Sequence, residues 1–182
     1  PSDVMRTEIA NLKADNHRLL TSKNYEVYLA PAAKIPTLLH EIGRLREITF
    51  RAIGEGTNKA IDLDNFDSYY HHMFLWDTDA ECLAGAYRMG LGNEIFKAKG
   101  IDGFYLQDLF RFEPELHTMM SQSIELGRAF IIKSYQQKPM PLFLLWKGIV
   151  HTTLRFPNHK YLIGGVSISN QFSNFSKSLM IE

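Results

Sequence analysis

The stretch Ile124-Glu125-Leu126-Gly127-Arg128-Ala129-Phe130-Ile131-Ile132 sets a carboxylate and a guanidinium inside an otherwise apolar frame. Its length, isoleucines and phenylalanine predict a strand. A charge in a strand core costs several kcal/mol unless it is paired, so Glu125 and Arg128 either meet partners or line a cleft. Downstream, Leu144, Leu145, Ile149, Val150 and Leu154 share a face of a helix predicted over Pro141–Phe156, which Pro157 stops. Tyr161–Ile168 then reads as a strand, with Gly164-Gly165 marking a bulge or a close backbone approach.

Upstream, Tyr25–Ala30 alternates as a strand and Pro31 closes it. Ile35, Leu38, Leu39, Ile42, Leu45, Ile48 and Thr49 follow the amphipathic template of a helix over Ile35–Phe50. Ile53–Tyr70 turns polar, with Gly54, Gly56 and three aspartates, and reads as a functional loop. His72–Trp76 and Cys82–Met89 form an antiparallel hairpin across the turn-rich 77–81. Ile95–Lys99 is a helical turn before Gly100, and the aromatic-rich Gly103–Phe112 a strand or edge segment. Residues 4–20 carry a modest helical pattern, so 1–23 is expected as a linker or docking helix ahead of a domain over 24–182. The order β, α, loop, ββ, β, α, β, α defines a mixed α/β (α+β) fold.

At 182 residues the chain is one domain by size. Its 20 Lys+Arg balance 20 Asp+Glu, which gives no global attraction to nucleic acid. Cys82, the single cysteine, makes no internal disulfide and no Cys-rich metal site. The longest apolar runs, such as Met140–Trp146, reach about a third of a membrane span. A cytoplasmic domain is the expectation. Pro1 is no initiator methionine, and the helical spacing of Phe172, Phe175, Leu179 and Met180 runs up to Glu182, so an excerpt of a longer chain is expected.

Metal motifs fail on inspection. His40-Glu41 has Arg44, not histidine, at the second ligand position of a zinc helix. Asp62-Leu63-Asp64 opens like a calcium loop, but Phe66 fills the third ligand position. His71 and His72 point to opposite faces of a strand. No metal site is expected.

Four polar clusters remain in apolar frames: Arg46 one turn before Phe50, Asp64 with Asp67, Arg88 in Gly85-Ala86-Tyr87-Arg88, and Glu125 with Arg128. These charges are expected to pair with one another or line a cleft. In this order they resemble acyl-homoserine lactone synthases and the related acyl-carrier-protein-dependent N-acyltransferases of ornithine and glycine lipids, all GNAT-like (Gcn5-related N-acetyltransferase-like). The second, hemolysin-like group is the closer resemblance, through Ile124–Arg128 followed by Leu144-Leu145-Trp146-Lys147-Gly148-Ile149. It looks most like the version fused behind a phospholipid-acyltransferase domain, and it runs from about Tyr25 to Asn170.

The resemblance implies a central mixed, mostly antiparallel sheet flanked by helices and splayed to admit a pantetheine arm, cut short at its C-terminal end. It implies Glu125 as general base, with Arg128 orienting it or binding an acceptor carboxylate, and Arg46, Phe50, Asp64, Asp67 and Arg88 as substrate-binding residues. Backbone N–H groups of Ala129, Phe130 and Ile131 hold the oxyanion, and Phe143 and Trp146 join Phe104, Tyr105, Leu109, Phe110, Phe112 and Leu142 along an acyl groove. No cofactor is bound permanently. Acyl-acyl-carrier protein is the expected co-substrate, ahead of acyl-coenzyme A, because Gln136-Gln137-Lys138-Pro139-Met140-Pro141 offers few backbone donors to a pyrophosphate. The partners implied are acyl-carrier protein, an amino-acid acceptor such as glycine or ornithine, the fused acyltransferase domain and a peripheral contact with the inner membrane. The alternative is a non-catalytic module supporting that fused domain. An acyl-homoserine lactone synthase ranks last, since 53–67 lacks the tryptophan such enzymes carry there.

Overall fold

In the computed structural model, which describes residues 2–167 and 172–181, six strands form one sheet in chain order. β1 (Arg18–Ser22), β2 (Tyr25–Pro31), β3 (His71–Asp77), β4 (Cys82–Leu91) and β5 (Ser123–Ile131) pair antiparallel, each with the next. The last strand, β6 (Tyr161–Ile163), runs parallel to β5. The helices are α1 (Ser2–Ala14), α2 (Pro36–Arg51), α3 (Gly92–Lys99), α4 (His117–Ser121), α5 (Pro139–Arg155) and α6 (Asn174–Ile181).

The central strands are buried on both faces, so they read as nearly unbroken apolar runs. One core joins α1 and α2 to the sheet through Leu12, Tyr28, Leu38, Ile42, Phe74 and Trp76. A second joins α5 to the opposite residues of the same strands, through Val27, Leu29, Met73, Leu75, Leu144 and Leu145. A smaller cluster of Tyr70, Ile95, Phe104 and Met120 closes the end near α3 and α4. No helix among the described residues is long and apolar enough to cross a membrane.

Three expected segments differ. Of residues 1–23, expected as a linker or docking helix, the described ones are built into the domain. Ile9 and Leu12 of α1 enter the first core, and Arg18–Ser22 is an edge strand of the sheet. Gly103–Phe112 holds no strand: it turns through 3-10 segments at Ile101–Gly103 and Tyr105–Asp108. The final strand ends at Ile163, and Ile168 lies outside the described residues. A Cβ on Gly164 would stand 2.7 Å from the Leu126 carbonyl oxygen, so this glycine serves a close backbone approach rather than a bulge.

The attachment of α1 has a polar component. Glu8 is buried, and its carboxylate accepts the backbone N–H of Thr37 (2.8 Å) and of Leu38 (2.9 Å) at the start of α2. Those N–H groups have no partner inside their own helix, and a negative charge there also complements the helix dipole. Glu8→Ala is therefore expected to destabilise the domain by about 1–2 kcal/mol. Urea unfolding checks this, and an unchanged midpoint would show that α1 is only appended.

Candidate active site

The site is assembled by the loop between α2 and β3, and α2 straps that loop down. Gly43 lets it lie against the helix: an added Cβ would come within 2.7 Å of Ile61 and Leu63 side-chain atoms. The buried Glu47 carboxylate accepts N–H groups of Thr57 and Asn58 and the Thr57 hydroxyl, and pairs with Arg51 at 2.6 Å. Further along, Asp64-Asn65-Phe66-Asp67 is a capping box on a short 3-10 turn. The Asp64 side chain accepts the Phe66 and Asp67 N–H groups, and the Asp67 carboxylate accepts the Asp64 N–H at 2.8 Å.

Three arginines meet three aspartates at this turn. Arg46, 1% exposed, grips Asp67 through both Nη atoms (3.0 and 2.8 Å) and Asp62 through Nε (3.0 Å). The Asp62 carbonyl also accepts from Arg46 Nη2. Arg88 Nη1 donates to Asp64 at 2.6 Å and lies 3.4 Å from Asp67. Its guanidinium lies 5.0–5.5 Å from the ring centroids of Phe66, Tyr70 and Tyr105. Arg128 reaches Asp64 at 3.4 Å and Asp62 at 3.9 Å. The lattice has an inside and an outside: Arg46, Asp62 and Asp67 are sealed, while the Asp64 and Arg128 side chains are 29% and 24% exposed. Two buried donors, Arg88 Nη2 and Arg128 Nε, make no hydrogen bond within the described residues. A buried donor left in that state costs about 1–3 kcal/mol, which makes it a place for an acceptor group.

Arg128 adopts a left-handed backbone conformation, φ 51°. Ala86 pairs with Phe130 and Arg88 with Gly127, so Arg128 and Ala129 together face Tyr87 as a bulge in β5. On the other edge, β5 pairs with β6 only as far as Glu125↔Ile163 and then continues alone to Ile131. Glu125 stands where the two strands part. It is buried: Oε2 accepts the Tyr70 hydroxyl at 2.7 Å and Oε1 the Leu106 N–H at 3.0 Å. Burial pushes its carboxyl up, against the pull of those hydrogen bonds and of Arg88. For Asp67 burial also acts upward, but Arg46 and then Arg88 outweigh it and hold the group below the usual carboxylate range.

Residues 45–146 match the Acetyltransferase (GNAT) domain family. This chain belongs to that family. Over 184 aligned positions it is 32% identical to a glycine N(alpha)-acyltransferase of Bacteroides thetaiotaomicron, covering 94% of this chain and 55% of the relative. It is 33% identical to a glycine N(alpha)-acyltransferase of Phocaeicola vulgatus, covering 94% and 56%. The chain spans about half the length of the curated relatives it matches. The solved AHL synthase LasI superposes with a TM-score of 0.55 over 86% of this chain and 76% of that one; at 14% identity the likeness is one of fold. The curled mixed sheet between helices is the GNAT-like architecture expected from the motif order.

In this GNAT domain Arg46, Asp64, Asp67, Arg88 and Arg128 come together as one ion-pair lattice. Glu125 does not pair with Arg128; its partner is Tyr70, and Arg128 turns to the aspartates instead. Phe50 is half-buried against the α2 core. Phe130 is buried in that same core, Ile131 packs towards α5, and Ala129 is exposed at the bulge. Phe143 and Trp146 sit on the outward side of α5, 59% and 62% exposed, away from the lattice, and Phe104 is plain core. Asp62 and Tyr70 are members that sequence reasoning passed over, and Tyr105, expected along the acyl groove, lies against the Arg88 and Arg128 guanidiniums. The spacing Asp64-x-x-Asp67 is itself a capping-box signal, and it explains the local turn without any metal.

His72, beneath the lattice, donates from Nε2 to the Asp67 carbonyl at 2.9 Å, and burial pushes its imidazole down to about 4 from 6.5. The unfolded chain binds this proton near pH 6.5 and the folded one only near pH 4, so stability drains as pH falls through that window. One proton at about 1.4 kcal/mol per pH unit makes the loss about 3 kcal/mol. The depressed Asp67 adds a loss below pH 3.8, in the same direction. Urea unfolding from pH 7 to 4 is expected to show this fall, and His72→Gln to remove most of the part above pH 4.5. A variant as pH-sensitive as the native chain would contradict the assignment.

Proposed function

We propose that the domain is an N-acyltransferase that moves a fatty acyl group, such as a 3-hydroxyacyl group, from acyl-carrier protein to the α-amine of glycine or a similar amino acid, in membrane aminolipid synthesis. The observation that carries this reading is the join of a bulged β5 to an ion-pair lattice that holds two unbonded arginine donors, one on the buried Arg88 and one on the partly exposed Arg128. The names of the curated relatives favour glycine as acceptor. Arg88 Nη2 and the Arg128 guanidinium supply N–H donors for an acceptor carboxylate, and Asp64, the exposed acid of the lattice, faces the incoming ammonium.

An α-amine has a reference pKa near 7.7–8.0, so it must lose a proton before it attacks. Glu125 is the base in this reading, because burial raises its proton affinity while Arg46 keeps Asp67 a poor proton acceptor. Each Glu125 oxygen already accepts one hydrogen bond and keeps a further lone pair for the amine or a water. The neutral amine adds to the thioester carbonyl, forming the C–N bond. The oxyanion is held by those backbone N–H groups of Ala129–Ile131 that point to the edge β6 has left, the alternate ones serving the pairing with β4. Its collapse breaks the C–S bond; the proton lost by the now cationic nitrogen goes to the leaving thiolate, and the one that Glu125 first took from the ammonium is released to water. Pro139 and Pro141 remove two backbone donors from the first turn of α5, which favours a carrier protein over free coenzyme A as donor.

Glu125→Gln is expected to lower turnover by at least 100-fold with the unfolding midpoint little changed, measured with charged acyl-carrier protein and glycine, ornithine, lysine or serine. Arg128→Met is expected to raise the KM for the amino acid more than it lowers kcat. Full turnover by Glu125→Gln would exclude Glu125 as the base, and no product from the native full-length protein with charged carrier would favour the non-catalytic module.

A further inference from the structure

α5 is apolar on both sides. Leu144, Leu145 and Gly148 face the sheet, while Leu142, Phe143, Trp146, Val150 and Leu154 point outward and are 49–72% exposed. At 3.6 residues per turn these five fall within an arc of roughly 120°, and at 1.5 Å per residue the stripe is about 18 Å long. A helix apolar all round is one whose outer face gets covered.

The charges around the stripe say by what. Between Leu126 and Ile181 the sequence has no acidic residue, whereas it has Lys133, Lys138, Lys147, Arg155 and Lys160 before, along and just after α5. All five are exposed, and none forms an ion pair among the described residues. Two copies meeting through this face would press like charges together. The face is also apolar along its whole length, with its large side chains already turned to water. A negatively charged, deformable apolar phase meets both constraints.

We propose that the outward face of α5 seats the protein on an anionic lipid bilayer. Trp146 lies at the acyl–headgroup boundary, the leucine and phenylalanine side chains enter the hydrocarbon, and the lysines reach back to the headgroups. The proposal uses no residue of the lattice, so its failure and that of the acyl-transfer reading are separate results.

The chain carries its own probe: Trp76 is 3% exposed and Trp146 is 62% exposed. In a Trp76→Phe background, Trp146 emission and vesicle flotation are followed with 7:3 phosphatidylcholine:phosphatidylglycerol and with phosphatidylcholine alone. The expected result is at least 10-fold stronger partition onto the anionic vesicles with a blue shift of Trp146, weakened by salt. Leu142→Glu with Val150→Glu is expected to abolish both with the unfolding midpoint retained, since these side chains already face water. Lys23→Glu and Lys97→Glu, at exposed positions elsewhere, are expected to leave both unchanged. The proposal is overturned by absence of flotation, by equal binding of the double-Glu variant, by a shift that follows protein concentration without lipid, or by one that needs acyl-carrier protein and not lipid.

Discussion

Arg46 is a guanidinium withdrawn almost wholly from water, and the site is arranged to compensate it. Removing one partner of such a buried pair costs about 3–5 kcal/mol, because the other charge is stranded. Asp67 and Asp62 must therefore stay where Arg46 can hold them, and they lie on the loop, not on the helix. That single constraint fixes the loop against α2, sets the 3-10 turn at Asn65–Ser68, and aims Asp64 outward towards Arg88 and Arg128. His72 under the same turn stays neutral because it is buried; Asp67 pulls the other way, and Arg46 and Arg88 add a smaller push against a further cation.

The second half of the site comes from strand geometry. An arginine at positive φ is unusual, and such conformations persist where the surroundings over-determine them. Here the Asp64 and Asp62 carboxylates draw the Arg128 side chain, and the Tyr105 ring lies 5.3 Å beneath its guanidinium. The bulge breaks pairing with β4 just after β6 has left the other edge, so one stretch of β5 has backbone free for a ligand while its neighbours remain rigid. Glu125 ends the paired part, tied to Tyr70 and to the Leu106 backbone. Electrostatics and sheet topology thus converge on one strand.

Much of this was legible in the sequence, for definable reasons. Strong periodicity gave β2, α2, the β3–β4 hairpin, β5 and α5 to within a few residues. Charges in apolar frames named five of the lattice members, because unpaired charge in a core is too costly to be accidental. Gly103–Phe112 misled because aromatic density reports burial and not backbone conformation; Phe104 is wholly buried while the chain there winds through tight turns. Phe143 and Trp146 misled because a helix apolar on every side gives no sign of which face meets the core. Asp62 and Tyr70 escaped because their partners are distant in sequence, and no local pattern records such a meeting.

The central claim is that Arg46 with its aspartates is structural, while the unbonded donors of the buried Arg88 and of Arg128 at the exposed end receive the acceptor's carboxylate. Nitrogen-15 spectra of the arginine side chains during titration with glycine test this most directly, with methylamine, which lacks the carboxylate, as control. The account predicts that Arg88 and Arg128 resonances move with glycine and stay still with methylamine, while Arg46 moves with neither. Equal responses to both compounds, or none at Arg88 and Arg128, would contradict it.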